Sequence, residues 1–384
     1  MHILVVFGTR PEAIKLFPVI HALRRNPAFR VTVCVTAQHR QMLDQVLDIA
    51  AITPDFDLDV MRPNQTLPQL TARILNRLDQ VLAEVRPDRV MVQGDTTTAM
   101  VGALAGFYRR IPVDHVEAGL RSGDIYSPWP EEVNRKMVGS VASLHFAPTV
   151  RAARALQREN VPADRIFTTG NTVIDALVQT RARISQIAMS GTNEGLPAEG
   201  DNTRVILVTA HRRENFDGGI ERIASALVRL VERGDVRIIF PVHPNPNVLE
   251  PMRALVGNHP QIRLITPLEY VPFVRVLSRS HLVLTDSGGI QEEAPALGKP
   301  VLVMRETTER PEGVEAGTAI MVGTDPDRIV AEANRLLDDH ARYERMSRAH
   351  NPFGDGRASE RIVDILAQEM RRTGINQEAL RHAS

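Results

Sequence analysis

Short apolar runs without strict alternation recur along the chain, each followed by a longer stretch with helical spacing. They read ILVVF (3–7), VTVCVT (31–36), RVMVQ (89–93), VDHVE (113–117) and IFTTG (166–170), then RVILVT (204–209), VRIIF (236–240), IRLIT (262–266), HLVLT (281–285) and VLVM (301–304). A strand with one wet face alternates apolar and polar residues; a strand covered on both faces has no need to, and such runs suit parallel sheets flanked by helices. Two series of them predict an α/β protein with two Rossmann-like, doubly wound sheets. Between the series, SQIAMSGTNEGLPAEGDN (185–202) is rich in Gly, Ser, Asn and Pro and lacks periodic apolar positions. The boundary is placed there, giving domains 1–185 and 186–356. In doubly wound sheets ligands lie outside the carboxyl ends of the strands, so the residues following each run are the candidates, and the expected site is a central cleft between the domains.

Composition narrows the partners. A chain of 384 residues exceeds the usual size of one core, which agrees with two domains. Lys+Arg and Asp+Glu both number 46, which leaves no net positive field to hold nucleic acid or an anionic membrane surface. The single cysteine, Cys34, excludes an internal disulfide framework. The start MHILVVFGTRPE lacks the basic and long apolar regions of a signal peptide, and no run approaches the ~20 apolar residues that span a bilayer. These features predict a cytoplasmic protein with neither membrane nor nucleic-acid partners.

The run HLVLT empties into TDSGGIQEEAPALGKP (285–300). Ser287 or Asp286 can cap the helix that follows, while Gly288 and Gly289 remove side chains where backbone N–H groups could close around an anion. Glycine costs a helix roughly 1 kcal/mol relative to alanine, so two together ask for a compensating ligand, although a tight capped turn would also account for them. Glu292 and Glu293 suit the positive end of a helix dipole; one of them is also placed to accept bonds from a ribose diol. After the first run comes GTRPE (8–12), where Thr9 and Glu12 have capping-box spacing and Pro11 suits a first turn. Helix initiation leaves Arg10 unexplained, a cation suited to a diphosphate. Neither GxGxxG nor GxxxxGK[ST] occurs, so NAD and P-loop chemistry lose support and no cofactor is expected.

Acids stand at further strand ends: Asp95 in GDTTT, Glu117 in HVEAGLR, and Glu131 in SPWPEEVNR. Each alone could start a helix; three in one half suit proton transfer. The second half opens with TAHRREN (209–215), where His211 could assist a leaving phosphate or be structural, and His243 shares that ambiguity. No His, Cys or Asp spacing supports a metal site.

Taken together, FGTRPEAIK (7–15), QGDTTT (93–98), HVEAGLRSGD (115–124), PWPEEVNR (128–135), TGNTVIDAL (169–177), TAHRRENF (209–216), DSGGIQEEAPALGKPVLVMRETTERPEGVEAGT (286–318) and NPFGDG (351–356) strongly resemble the non-hydrolysing bacterial UDP-N-acetylglucosamine 2-epimerases. The resemblance implies a glycosyltransferase-B-like fold whose C-terminal helix, within 357–384, packs back on the first domain. It implies reversible conversion of UDP-N-acetylglucosamine to UDP-N-acetylmannosamine in a homodimer, supplying surface polysaccharide. By position, Arg10, His211, Ser287, Gly288, Gly289 and Arg310 would hold the diphosphate, Glu293 the ribose, and Phe273 the uracil through backbone atoms. Asp95, Glu117 and Glu131 would surround the hexose with Lys15 nearby, Asp95 and Glu117 being the proton-handling pair. Gln38, His39 and Gln41 are candidate contacts for UDP-N-acetylglucosamine as an activator. The alternatives are a hydrolysing epimerase, an acceptor-dependent glycosyltransferase and a non-catalytic UDP-sugar-binding regulator.

Overall fold

A computed structural model describes residues 1–37, 40–184, 195–198, 201–372 and 374. The apolar runs form two parallel sheets. The first has the order β3-β2-β1-β4-β5-β6-β7, from β1 (His2–Phe7), β2 (Arg30–Val35), β3 (Phe56–Asp57), β4 (Arg89–Gln93), β5 (Val113–Val116), β6 (Leu144–Ala147) and β7 (Ile166–Thr168). The second has the order β10-β9-β8-β11-β12-β13, from β8 (Arg204–Thr209), β9 (Val236–Pro241), β10 (Ile262–Ile265), β11 (Leu282–Thr285), β12 (Val301–Val303) and β13 (Ala319–Met321). Absence of alternation has the expected cause: every residue of β1 from Ile3 to Phe7 is buried, as is all of β11. Three strands carry no recognisable run in the sequence. β3 and β13 are two and three residues long, and β6 is LHFA, with a histidine inside it.

The chain divides into two compact units, Met1–Ala176 with Phe353–Ser384, and Leu177–Pro352. The division falls within the helix Thr172–Ile184 and not in the 185–202 stretch, of which residues 185–194, 199 and 200 lie outside the description. A helix that continues without a break gives no compositional sign that its neighbours change. Residues 353–356 likewise belong to the first unit, because NPFGDG meets TGNTVIDAL there. The Asn171 N–H donates to the Phe353 carbonyl at 2.6 Å. A Cβ on Gly170 would stand 3.3 Å from the Gly354 Cα, so the two backbones touch. Asp175 accepts from the N–H groups of Ala358 (3.2 Å) and Ser359 (2.7 Å), satisfying first-turn donors of the helix Ala358–Arg372. That helix packs on Arg10–Arg25; residues 375–384 lie outside the description.

At the opposite, amino ends of the strands, Arg89 and Asp114 form a buried bidentate pair, Nε–Oδ2 2.8 Å and Nη2–Oδ1 2.6 Å. Removing one partner of such a pair leaves a buried charge uncompensated. Arg89→Met is expected to destabilise the protein by about 3–5 kcal/mol, read from the urea midpoint. The double change Arg89→Met with Asp114→Leu should recover most of that loss.

Candidate active site

Strand order reverses between β1 and β4 in the first unit and between β8 and β11 in the second, and such switch points are where open α/β sheets bind ligands. Both are densely functionalised.

In the first unit, β1 is followed by Gly8, where a Cβ would lie 1.9 Å from Thr36 Oγ1; only glycine fits. Glu12 is buried and does more than complete the capping box. Its Oε2 accepts from the N–H groups of Gly8 (3.0 Å) and Thr9 (2.8 Å), and its Oε1 takes the Thr96 hydroxyl at 2.7 Å, tying the end of β1 to that of β4. Burial pushes its pKa up, against the opposing hydrogen bonds from Thr96 and Thr9. Arg10 opens the helix half-buried, with no ion pair among the described residues. Lys15, one turn further, reaches Glu117 at 2.6 Å.

Glu117 leaves β5 with φ +62°, a strained backbone conformation for a residue with a side chain. Its carboxylate, 7% exposed, also accepts from Asn171 Nδ2 at 2.9 Å. Asp95 follows β4; its side chain pairs with Arg135, and its carbonyl accepts from Asn134 Nδ2 at 2.9 Å. Asp95 does not cap the next helix, because Thr96 does so, accepting from the Ala99 N–H at 3.0 Å. Arg135 also holds Glu132 (3.1 Å), whose buried carboxylate accepts from the Ser122 N–H at 3.0 Å and anchors the loop before the helix Glu131–Val141. Glu131 is half-buried with no partner among the described residues.

In the second unit, Asp286 is completely buried and accepts from the N–H groups of His211 (2.8 Å) and Arg212 (2.8 Å) and from Asn215 Nδ2 (3.1 Å). His211 Nδ1 stands 3.2 Å from Asp286 Oδ1, in ion-pair range though not aligned as a hydrogen bond. Burial alone would raise the Asp286 pKa, but contacts with His211 and Arg212 reverse the shift and hold it below the usual carboxylate range. An aspartate so placed orients the imidazole. His211 is 40% exposed and stacks on His243, centroids 6.0 Å apart.

The glycine stretch is not the capped turn that stood as the alternative to a ligand. Ser287 occupies the N-cap position of the helix Gly288–Ala296 but makes no capping bond, and Asp286 is committed to the loop after β8. A Cβ on Gly288 would meet only ordinary contacts, the nearest being Glu309 Oε2 at 3.7 Å and Arg212 Nη2 at 3.8 Å. Neither glycine has positive φ. The protein's own packing therefore does not require them. Glu292 is buried and pairs with Arg310, which brings that guanidinium beside the helix start, whereas Glu293 is half-exposed. Phe273 lies in the helix Tyr270–Arg279, where its N–H donates to the Glu269 carbonyl (2.9 Å) and so is not free for a base.

Sequence reasoning missed Asn171, Asn134 and Arg135 as site residues, though all lie inside its motifs, since their partners are remote in the chain. Gln38 and His39 lie outside the described residues, as does the side chain of Gln41. Among the described residues no group of three or more His, Cys, Asp or Glu could hold a metal ion, and no helix is long and apolar enough to cross a membrane.

Two Rossmann-ordered parallel sheets with cations and carboxylates at both switch points define a glycosyltransferase-B-like α/β enzyme. The fold is shared with a glycosyltransferase from Streptomyces nogalater at 17% identity and TM-score 0.58, over 95% of this chain and 99% of that one. The family model for UDP-N-acetylglucosamine 2-epimerase matches residues 21–367. The UDP-N-acetylglucosamine 2-epimerase of Salmonella typhimurium is 55% identical over 369 residues, 95% of this chain and 98% of that protein. The crystal structure of UDP-GlcNAc 2-epimerase from Neisseria meningitidis bound to UDP-GlcNAc is similar at TM-score 0.86 and 47% identity, over 96% of this chain and 100% of that one. The chain belongs to the UDP-N-acetylglucosamine 2-epimerase family, and it is an isomerase.

Proposed function

We propose that the chain interconverts UDP-N-acetylglucosamine and UDP-N-acetylmannosamine without releasing free sugar, by eliminating UDP to 2-acetamidoglucal and adding it back. The observation that carries this reading is the division of chemistry between the switch points. One presents ion-paired carboxylates on stiff strand ends, and the other an uncapped, glycine-opened helix start beside Arg310 and His211. The Neisseria meningitidis relative, bound to UDP-GlcNAc, supports the substrate.

A C2–H beside an acetamido group is a poor acid, so removing it directly faces a high barrier. If the anomeric C–O bond breaks first, its electron pair leaves with UDP and the cationic C1 acidifies C2–H. A carboxylate then takes the proton, and the C–H pair becomes the C1=C2 bond. Arg10, His211, Arg310 and the backbone at Ser287, Gly288 and Gly289 are assigned the departing diphosphate, whose charge a helix N-terminus stabilises. Glu293 is assigned the ribose and Phe273 the base, through its backbone carbonyl, whose second lone pair can still accept while its N–H is taken by Glu269. Asp95 and Glu117 handle the proton on the two faces of C2, Lys15 holds Glu117, and Glu131 positions the sugar or an acid. UDP returns to C1 while a proton reaches the opposite face of C2, giving the epimer.

The reading places the enzyme in the cytoplasm as a homodimer supplying surface polysaccharide, with UDP-N-acetylglucosamine as activator near Gln38, His39 and Gln41. Exposed Phe107, Tyr108 and Met137, at 54%, 64% and 43%, support self-association.

Proton NMR of the protein with UDP-N-acetylglucosamine in D2O tests the reaction. UDP-N-acetylmannosamine is expected, with deuterium entering C2 of both nucleotide sugars. Free N-acetylmannosamine would point to the hydrolysing route. If neither sugar changed at saturating substrate, the epimerase reading would fail.

A further inference from the structure

We propose that His115 is a positioning residue that fixes the spacing of Asp95 and Glu117 by clamping the carboxyl ends of β4 and β5. This rests on the proton-handling reading of those two acids. His115 is 1% exposed, and its Nε2 lies 2.8 Å from the carbonyl oxygen of Gly94, the residue before Asp95. A carbonyl only accepts, so Nε2 carries the proton and Nδ1 is left as the bare acceptor. Burial pushes the ring pKa down to about 3, so the imidazole is neutral at working pH. Nδ1 has no partner among the described residues.

The backbone closes the same clamp. The Gly94 N–H donates to the Val116 carbonyl at 3.0 Å, so Gly94 is held through both its donor and its acceptor by consecutive residues of β5. Both acids depart from left-handed backbone beside this point, Asp95 after Gly94 at φ +71° and Glu117 itself at φ +62°. The distances are short enough to matter: a Cβ on Gly94 would stand 4.0 Å from Glu117 Oε1. Any rotation of the Gly94 peptide therefore moves Asp95 relative to Glu117.

A buried strand position such as this is ordinarily filled by an aliphatic side chain, which leaves no polar atom to satisfy. An imidazole with an orphan acceptor is the more costly choice. Its register partner on β6, His145, is also buried, with its own Nδ1 unpartnered. His115 differs from it in making a bond to the residue that precedes a candidate acid.

The test compares His115→Gln, whose amide N–H reaches the Nε2 position, with His115→Asn, which is too short. His115→Gln is expected to keep kcat within about threefold. His115→Asn should lose about 10–100-fold in kcat with KM and UDP affinity within twofold, since a misplacement near 1 Å can cost about 10²-fold. Equal rates in the two variants, whether both high or both low, would overturn the clamp; so would loss of the fold in both, by circular dichroism. Asp95→Asn is measured alongside. If it turned over like the parent, the proton-handling reading would itself fail and the clamp with it. If it were inactive while the Gln and Asn variants matched, the clamp alone would fail.

Discussion

Asp95→Asn is expected to lower kcat by about 10²–10⁴-fold, the range of a lost general acid or base, with UDP affinity unchanged. Asparagine matches aspartate in shape and keeps a carbonyl oxygen to face Arg135, so the site loses a proton acceptor and little else. Arg135 keeps the buried Glu132 carboxylate as a second partner at 3.1 Å, so its charge stays compensated and the fold should persist. The nucleotide contacts assigned to the second unit are untouched. Calorimetric UDP titration beside a turnover assay separates the two effects. Unchanged kcat, or loss of UDP binding in a folded protein, would sink the assignment.

Gly288→Ala tests the other half of the chemistry, and it should move stability and affinity in opposite directions. A methyl group fits the space, with nothing nearer than 3.7 Å, and the backbone is already helical. Alanine should therefore leave stability unchanged or raise it by up to about 1 kcal/mol. If a phosphate approaches the first-turn N–H groups, the same methyl stands in its way. Losing one charge-assisted hydrogen bond, about 1.5–3 kcal/mol, predicts UDP binding weakened about 10–150-fold. Thermal melting without ligand and UDP titration give the two numbers. A stabilised variant with parental affinity would show that the glycines serve some purpose other than admitting phosphate.

Much of this was legible before any coordinates. Strands buried on both faces announce themselves by runs that do not alternate, and charged residues just after them stand out because they end those runs. What escaped was mostly pairing. Nothing local to SPWPEEVNR says that Glu132 is fully buried and Glu131 only half, or that Arg135 crosses to Asp95. Glu12 reads as half of a capping box because its first two partners are close in sequence; the third, Thr96, belongs to another strand end. Ser287 fits the residue preference for an N-cap yet makes no capping bond, since preference records the position and not the bond. The β6 run LHFA was hidden by its histidine, and the change of unit at Ala176 and Leu177 by the helix that carries it.

The contact between Asp175 and the start of the helix Ala358–Arg372 converts distance along the chain into time on the ribosome. All of Leu177–Pro352 is synthesised between the two, an interval of roughly 10–35 s at about 5–20 residues per second. Through that interval the Asp175 carboxylate lacks its two backbone donors, and the face of Arg10–Arg25 that the helix Ala358–Arg372 later covers lies open. The unit translated second is contiguous and can close on itself as soon as it emerges, whereas the unit translated first must wait for its last helix. The nascent protein is thus completed in the reverse of its reading order.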